Sequence, residues 1–156
     1  MRVALAVAAL TLGAASACAE EFSGRVVGVA DGDTITVLRD QRAVTVRLQG
    51  IDAPEKGQAF GQRAKQFTVS LAFGNTVTVH ATGRDRYARL LAEVTLPDGR
   101  SLNQELVRAG FAWWFRKYSH DMRLARLEEE ARGERRGLWA DPAPEAPWNY
   151  RSRRAS

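Results

Sequence analysis

From residue 22 onward the apolar positions fall in short, β-branched or alternating runs. Residues 22–29, 34–38 and 43–49 are rich in Val, Thr and Ile, and the turn strings DGD and RDQR separate them. That pattern predicts a meander of three strands. Pro54 and Gly57 break the run, and the period then changes. Phe60, Ala64, Phe67 and Leu71 recur at helical spacing, with Gly74 placed to end a helix. Two more strands are predicted over 76–81 and 90–96, the second closed by the turn PDG. Ser101 and Gln104 have the form of a capping box before a helix over 102–109 that Gly110 ends. A third helix is predicted from about 121 to 135, with Leu124, Leu127 and Ala131 on one face and Gly137 beyond it. The string DPAPEAPWNYRSRRAS reads as a Pro-rich, then basic tail over 141–156, wrapped or mobile, with RSRR available to attract phosphate.

Five strands interrupted by one helix and followed by two more predict an α+β, β-rich domain over 20–140. The expected architecture is a small closed five-stranded barrel of the OB type with three helices packed on it.

The first nineteen residues follow a different plan. Arg2 precedes an almost unbroken run of Ala, Val and Leu over 3–15, and the small residues of ASACA follow. This predicts a secretory signal peptide cleaved after Ala19, because the apolar run is too short to span a bilayer. Cys18 keeps a second reading open, a lipoprotein signal ending just before it. The chain is then expected to be periplasmic or secreted, and membrane-attached only if Cys18 is lipidated. After cleavage no cysteine would remain, so burial, alone or with a metal, would have to hold the fold. Net charge is +5, with 23 Lys and Arg against 18 Asp and Glu, and most of the positive charge is Arg. Guanidinium groups suit bidentate contact with phosphate. That balance is compatible with nucleic acid, an anionic membrane or an acidic polysaccharide, and does not choose among them.

Two segments bring candidate chemistry. ADGDT over 30–34 and RLQGIDAPE over 47–55 each put an acid, Asp33 and Asp52, at the end of a predicted strand. In a meander both carboxylates can meet at one end of the barrel. Two carboxylates with a backbone carbonyl and waters form an oxygen-only, partly open site, which favours Ca²⁺ or Mg²⁺ over Zn²⁺. His80 and His120 are too few and too far apart in sequence to suggest a histidine-rich centre. Glu55, just past Pro54, is placed to orient a water or take its proton. Arg47 could clamp a phosphate as charge accumulates in the transition state.

The segments DGDT, R-x4-D-x-P-E and DRYxR, in that order, resemble the staphylococcal nuclease (thermonuclease) family over residues 22–139. The resemblance implies an OB-like barrel and a single Ca²⁺. By motif position it makes Asp33 and Asp52 carboxylate ligands and Ala53 a backbone-carbonyl ligand. Arg47 and Arg89 would hold the scissile phosphate, and Glu55 matches the residue usually assigned as general base. Arg86, Tyr87 and Tyr118 would contribute to substrate binding. The implied reaction is attack of water on phosphorus with the 5′-oxygen leaving, giving 3′-phosphate ends on DNA and RNA. The substrate would be single-stranded or flexible nucleic acid, and the protein a monomer with no obligate protein partner. Two positions depart from the pattern. Ala53 replaces a Thr, which keeps the carbonyl and loses the hydroxyl. Ala88 replaces a Gly, and a positive φ there would shift the turn and Arg89 with it.

Other features have ordinary readings. Asp31 is a turn residue. Trp113, Trp114 and Phe115 are expected to pack rather than stack on bases. The Arg-rich stretch 123–136 with Glu128, Glu129 and Glu130 reads as a solvated helix face. His80 and His120 receive no role. Two alternatives to the nuclease are a non-catalytic OB module that grips nucleic acid and an envelope-anchored structural lipoprotein. The first is disfavoured because the chain keeps Asp33, Arg47, Asp52, Glu55 and Arg89.

Overall fold

The structure, a computed structural model, describes residues 19–156. The signal-like segment up to and including Cys18 lies outside the described residues. Among those described, no helix is long and apolar enough to cross a membrane.

Strands β1 (Glu20–Asp31), β2 (Thr34–Arg39), β3 (Arg42–Leu48), β5 (Thr76–Arg84) and β6 (Leu90–Thr95) form a closed barrel in the order β1-β2-β3-β6-β5. The meander β1–β2–β3 is antiparallel, as the turn strings imply. Asp40 and Gln41 both adopt positive φ (47° and 63°), the left-handed pair that a two-residue hairpin requires between Arg39 and Arg42. Closure depends on a parallel pairing of β3 with β6, in which Val46, Arg47 and Leu48 face Leu90, Leu91 and Ala92. Val26, Ile35, Val37, Val46, Leu48, Val77, Val79, Leu90, Ala92 and Val94 fill the interior. Closing the sheet removes its edges, and the β-branched side chains suit the pleated inner surface.

Helix α1 (Gly61–Ala72) crosses the barrel beneath the β1–β2 hairpin. The buried hydroxyl of Thr68 donates to the carbonyl of Gly32 at 2.6 Å. Gly32 is needed for space: a Cβ there would lie 2.8 Å from the Cβ atoms of both Ala53 and Ala64. Helix α2 (Leu102–Arg108) begins at Ser101, whose hydroxyl accepts from the Gln104 amide; the Gln104 side chain turns to Glu93. Asn103 ties α2 to the barrel. Its Oδ1 accepts from Val94 N, and its Nδ2 donates to the carbonyls of Gln49 and Ala92. Helix α3 (Met122–Gly133) is capped by Asp121 and buries Leu124, Leu127 and Ala131, the face that its periodicity predicts.

Three features correct the expectation. The two-residue strands β4 (Ile51–Asp52) and β7 (Trp113–Trp114) pair with each other and fix Asp52 from a second side. Glu128 is not on a solvated face. It is 1% exposed, and its carboxylate accepts from Trp114 N and from Arg116 while pairing with Arg132. The helices number four among the described residues, not three, because Pro147–Ala155 of the tail forms α4 after a 3-10 turn at Gly137–Ala140. Pro147 sits in the first turn, where its missing N–H costs nothing. Trp148 stacks flat on Phe115 (5.3 Å between centroids, 2° between planes) and meets Trp113 edge-on. A nine-residue helix is marginal in isolation, so these tertiary contacts hold it.

Candidate active site

At one end of the barrel a cavity of about 870 Å³ is lined by Asp33, Arg47, Asp52, Ala53, Glu55, Arg86, Tyr87, Arg89, Tyr118 and Arg151, among others. All of these except Arg151 are the nine candidates named from the sequence.

Asp33 lies in the turn between β1 and β2, where its amide is held by Asp31 Oδ1 at 3.3 Å. Its Oδ1 accepts from the Thr34 hydroxyl at 3.2 Å and its Oδ2 from the Ala53 amide at 2.6 Å. Asp52 lies on β4. Arg47, near the end of β3, reaches both acids with one nitrogen: Nη2 is 3.1 Å from Asp33 Oδ2 and 3.0 Å from Asp52 Oδ1. Its Nη1 donates to the carbonyls of Leu48 (2.8 Å) and Ile51 (3.1 Å). The guanidinium is thus locked to the backbone while one edge faces the carboxylates. Burial pushes the Asp33 carboxyl up to about 7; Arg47 opposes this, Asp31 and Asp52 add to it, and the Ala53 amide opposes it.

The donor set fits a hard cation. Two carboxylates converge within reach of the same guanidinium nitrogen, with oxygen the only ligand type at hand. Among the described residues no group of three or more His, Cys, Asp or Glu could hold an ion. Asp33, Asp52 and the Ala53 carbonyl, the ligands that the motif resemblance implies, would hold such an ion with water completing its shell.

Glu55 follows Pro54 on a tight loop rather than on a strand. Its amide donates to Gln58 Oε1 and its carbonyl accepts from the Gln58 amide, while Gln58 Nε2 donates to the Glu145 carbonyl. Gly61 makes this loop possible, since a Cβ there would lie 1.9 Å from the Glu55 carbonyl oxygen.

Arg89 enters from the turn after β5. Asp85 holds that turn closed: its Oδ1 accepts from the amides of Tyr87 (2.9 Å) and Arg89 (3.0 Å), and its Oδ2 from Arg89 Nε at 2.7 Å. Desolvation works to raise the Asp85 carboxyl, but the Arg89 and Tyr87 hydrogen bonds outweigh it and hold the group below the usual carboxylate range. Ala88 takes φ 60°, so the turn keeps a left-handed residue despite lacking Gly. The expected displacement of Arg89 is absorbed as local backbone strain. Tyr87 is exposed, with Arg86 and Arg89 over its ring, and Tyr118 is exposed against Phe115.

Sequence reasoning missed two residues here. Asp85 is part of the DRYxR string, and its spacing of four from Arg89 was the available signal. Arg151 had none, standing in a basic tail. It projects from α4 onto the acids: Nη2 donates to Asp52 Oδ2 (2.7 Å), and Nη1 to Asp52 Oδ1 (3.2 Å) and Glu55 Oε1 (2.7 Å). Trp113 is buried and Trp114 half-buried, as expected of packing residues. His80 pairs with Glu21 and Thr95 on the barrel wall, and neither His80 nor His120 lines the cavity.

Comparison with known proteins agrees with this geometry. The family model described as "Staphylococcal nuclease homologue" matches residues 45–141. An Escherichia coli O157:H7 protein named "Uncharacterized endonuclease" is 49% identical over 137 residues, covering 88% of this chain and 89% of its own. A Shigella flexneri protein named "Micrococcal nuclease" is 43% identical over 141 residues, covering 84% of this chain and 81% of its own. A Haemophilus influenzae protein named "Uncharacterized endonuclease" is 42% identical over 138 residues, covering 87% and 77%. With a barrel of this topology and relatives aligned over most of both chains, the protein belongs to the staphylococcal nuclease family.

Proposed function

We propose that the protein is a Ca²⁺-dependent nuclease that hydrolyses phosphodiester bonds of DNA and RNA. The observation that carries the reading is the convergence of Asp33 and Asp52 on Arg47, in a cavity that Glu55 and Arg89 also line. A binding module needs positive charge alone. Two converging carboxylates with Glu55 and Arg89 beside them supply the oxygen ligands and proton acceptor that metal-assisted hydrolysis requires and that binding alone does not.

Ca²⁺ held by Asp33, Asp52 and the Ala53 carbonyl would supply positive charge to the phosphate oxygens. Glu55 orients the attacking water and accepts its proton as the new O–P bond forms. The P–O5′ bond breaks, leaving the phosphate on the 3′ side, and the departing O5′ takes a proton from water to become a 5′-hydroxyl. Arg89, with its Nε on Asp85, and Arg47, fixed beside the two acids, stabilise the charge that grows on the phosphoryl oxygens. Tyr87, Tyr118 and Arg86 line the approach, exposed and able to meet flexible single strands. The protein acts as a monomer after export; the Arg2 and apolar 3–15 pattern supports a cleaved leader, and mass spectrometry of the mature N-terminus distinguishes cleavage after Ala19 from acylation at Cys18.

The product ends test the chemistry. A 5′-labelled oligonucleotide cleaved in Ca²⁺ should give fragments whose mobility changes on 3′-dephosphorylation. Fragments with 3′-hydroxyl ends would contradict the assigned leaving group, and binding without cleavage in every divalent metal would point to the non-catalytic module.

A further inference from the structure

Arg47 and Arg151 both contact Asp52, but they are held differently. Arg47 is anchored by two backbone carbonyls and is 13% exposed at its side chain. Arg151 is 42% exposed, and among the described residues its guanidinium has no acceptors other than Asp52 and Glu55. Its helix is lightly held as well. Pro147 is the one fully buried residue of α4, Trp148 and Tyr150 are half-buried, and the rest is exposed. The remaining polar ties of α4 are on the surface: Arg153 pairs with Glu145, and Arg154 donates to Tyr150 Oη.

We propose that Arg151 is an exchangeable internal cation that competes with the divalent metal for Asp52 and Glu55, so that metal binding releases α4 from the mouth of the site. The inference rests on the reading that Asp33 and Asp52 hold the metal. Both oxygens of Asp52 accept from Arg151, so a metal bound through Asp52 must take at least one of them. Arg47 cannot yield without breaking its bonds to Leu48 and Ile51, whereas Arg151 can swing out with the short helix that carries it. Because metal affinity is reduced by the fraction of molecules with the site closed, a closed state favoured about ten to one weakens apparent affinity about ten-fold. Release would also clear one side of the cavity for a nucleic-acid strand.

The test is Ca²⁺ titration by calorimetry on the intact protein without substrate, comparing wild type with Arg151→Gln, Arg151→Lys, Trp148→Ala and Asp33→Asn. Arg151→Gln should bind Ca²⁺ about ten-fold more tightly. Arg151→Lys, which keeps the charge, should stay near wild type. Trp148→Ala, which undocks the helix and leaves Arg151 in place, should also bind more tightly. Hydrogen exchange over 147–155 should rise when Ca²⁺ binds the wild type. Equal or weaker binding by Arg151→Gln, or exchange over α4 that falls with Ca²⁺, would overturn the competition. Asp33→Asn separates the two readings: Ca²⁺ binding that survives it contradicts the metal site itself, and absence of binding in wild type and Arg151→Gln alike refutes both.

Discussion

Asp85→Asn isolates the positioning of Arg89 from the folding of the turn that carries it. Asn keeps an oxygen where Oδ1 accepts from the Tyr87 and Arg89 amides at 2.9 and 3.0 Å. It replaces Oδ2 with an NH₂ that cannot accept from Arg89 Nε, now 2.7 Å away. The turn should therefore survive while the guanidinium loses its restraint. The stability lost is that of a partly exposed ion pair, about 0.2–1 kcal/mol. The catalytic loss should be much larger, because a misplacement of about 1 Å in a charge-stabilising group can cost on the order of 10²-fold in rate. Asp85 has a depressed folded pKa, so its contribution is fully present above the ordinary value of 3.8 and lost as pH falls through the lower folded value. The stability deficit should accordingly be constant through neutral pH and vanish only in acid. The assay is steady-state cleavage of denatured DNA beside urea unfolding, with Arg89→Ala and the double variant. The loss should fall mainly on kcat, and the double variant should be no slower than Arg89→Ala alone. Activity within two-fold of wild type, or additive losses, would refute the claim that Asp85 acts through Arg89.

Ala88→Gly should relieve the left-handed strain at φ 60° and raise unfolding free energy by up to about 1 kcal/mol, the gain being limited by the entropy of Gly in the unfolded chain; a loss of stability in urea would contradict it. Gly61→Ala places a methyl 1.9 Å from the Glu55 carbonyl oxygen and should destabilise by about 1–3 kcal/mol while lowering turnover, read by thermal unfolding and cleavage together. Thr68→Val removes the donor to the buried Gly32 carbonyl and should cost about 1–3 kcal/mol by urea unfolding.

The barrel strands were legible because their alternation and turn residues are local. Val26, Ile35, Val37 and Val46 announce an inner face, and Asp40-Gln41 a tight hairpin. The parallel closure of β3 on β6 and the β4–β7 pairing join residues distant in sequence, and two-residue strands carry no period to read. Glu128 looked solvated because its neighbours Glu129 and Glu130 are; only the fold brings Arg116 and the Trp114 amide to it. At the site, Asp33, Arg47 and Asp52 stood in strand-end motifs and could be read. Arg151 could not, since α4 has only Pro147 and Trp148 as apolar anchors and its guanidinium reaches Asp52 across 99 positions of sequence.

The most direct test of the central claim is cleavage of heat-denatured DNA by the purified protein in Ca²⁺ and in excess chelator, with Glu55→Gln beside the wild type. The account predicts cleavage in Ca²⁺, none in chelator, and turnover in Glu55→Gln reduced by on the order of 10²-fold or more with unfolding unchanged. Cleavage that persists in chelator, or a Glu55→Gln variant as fast as wild type, would contradict it.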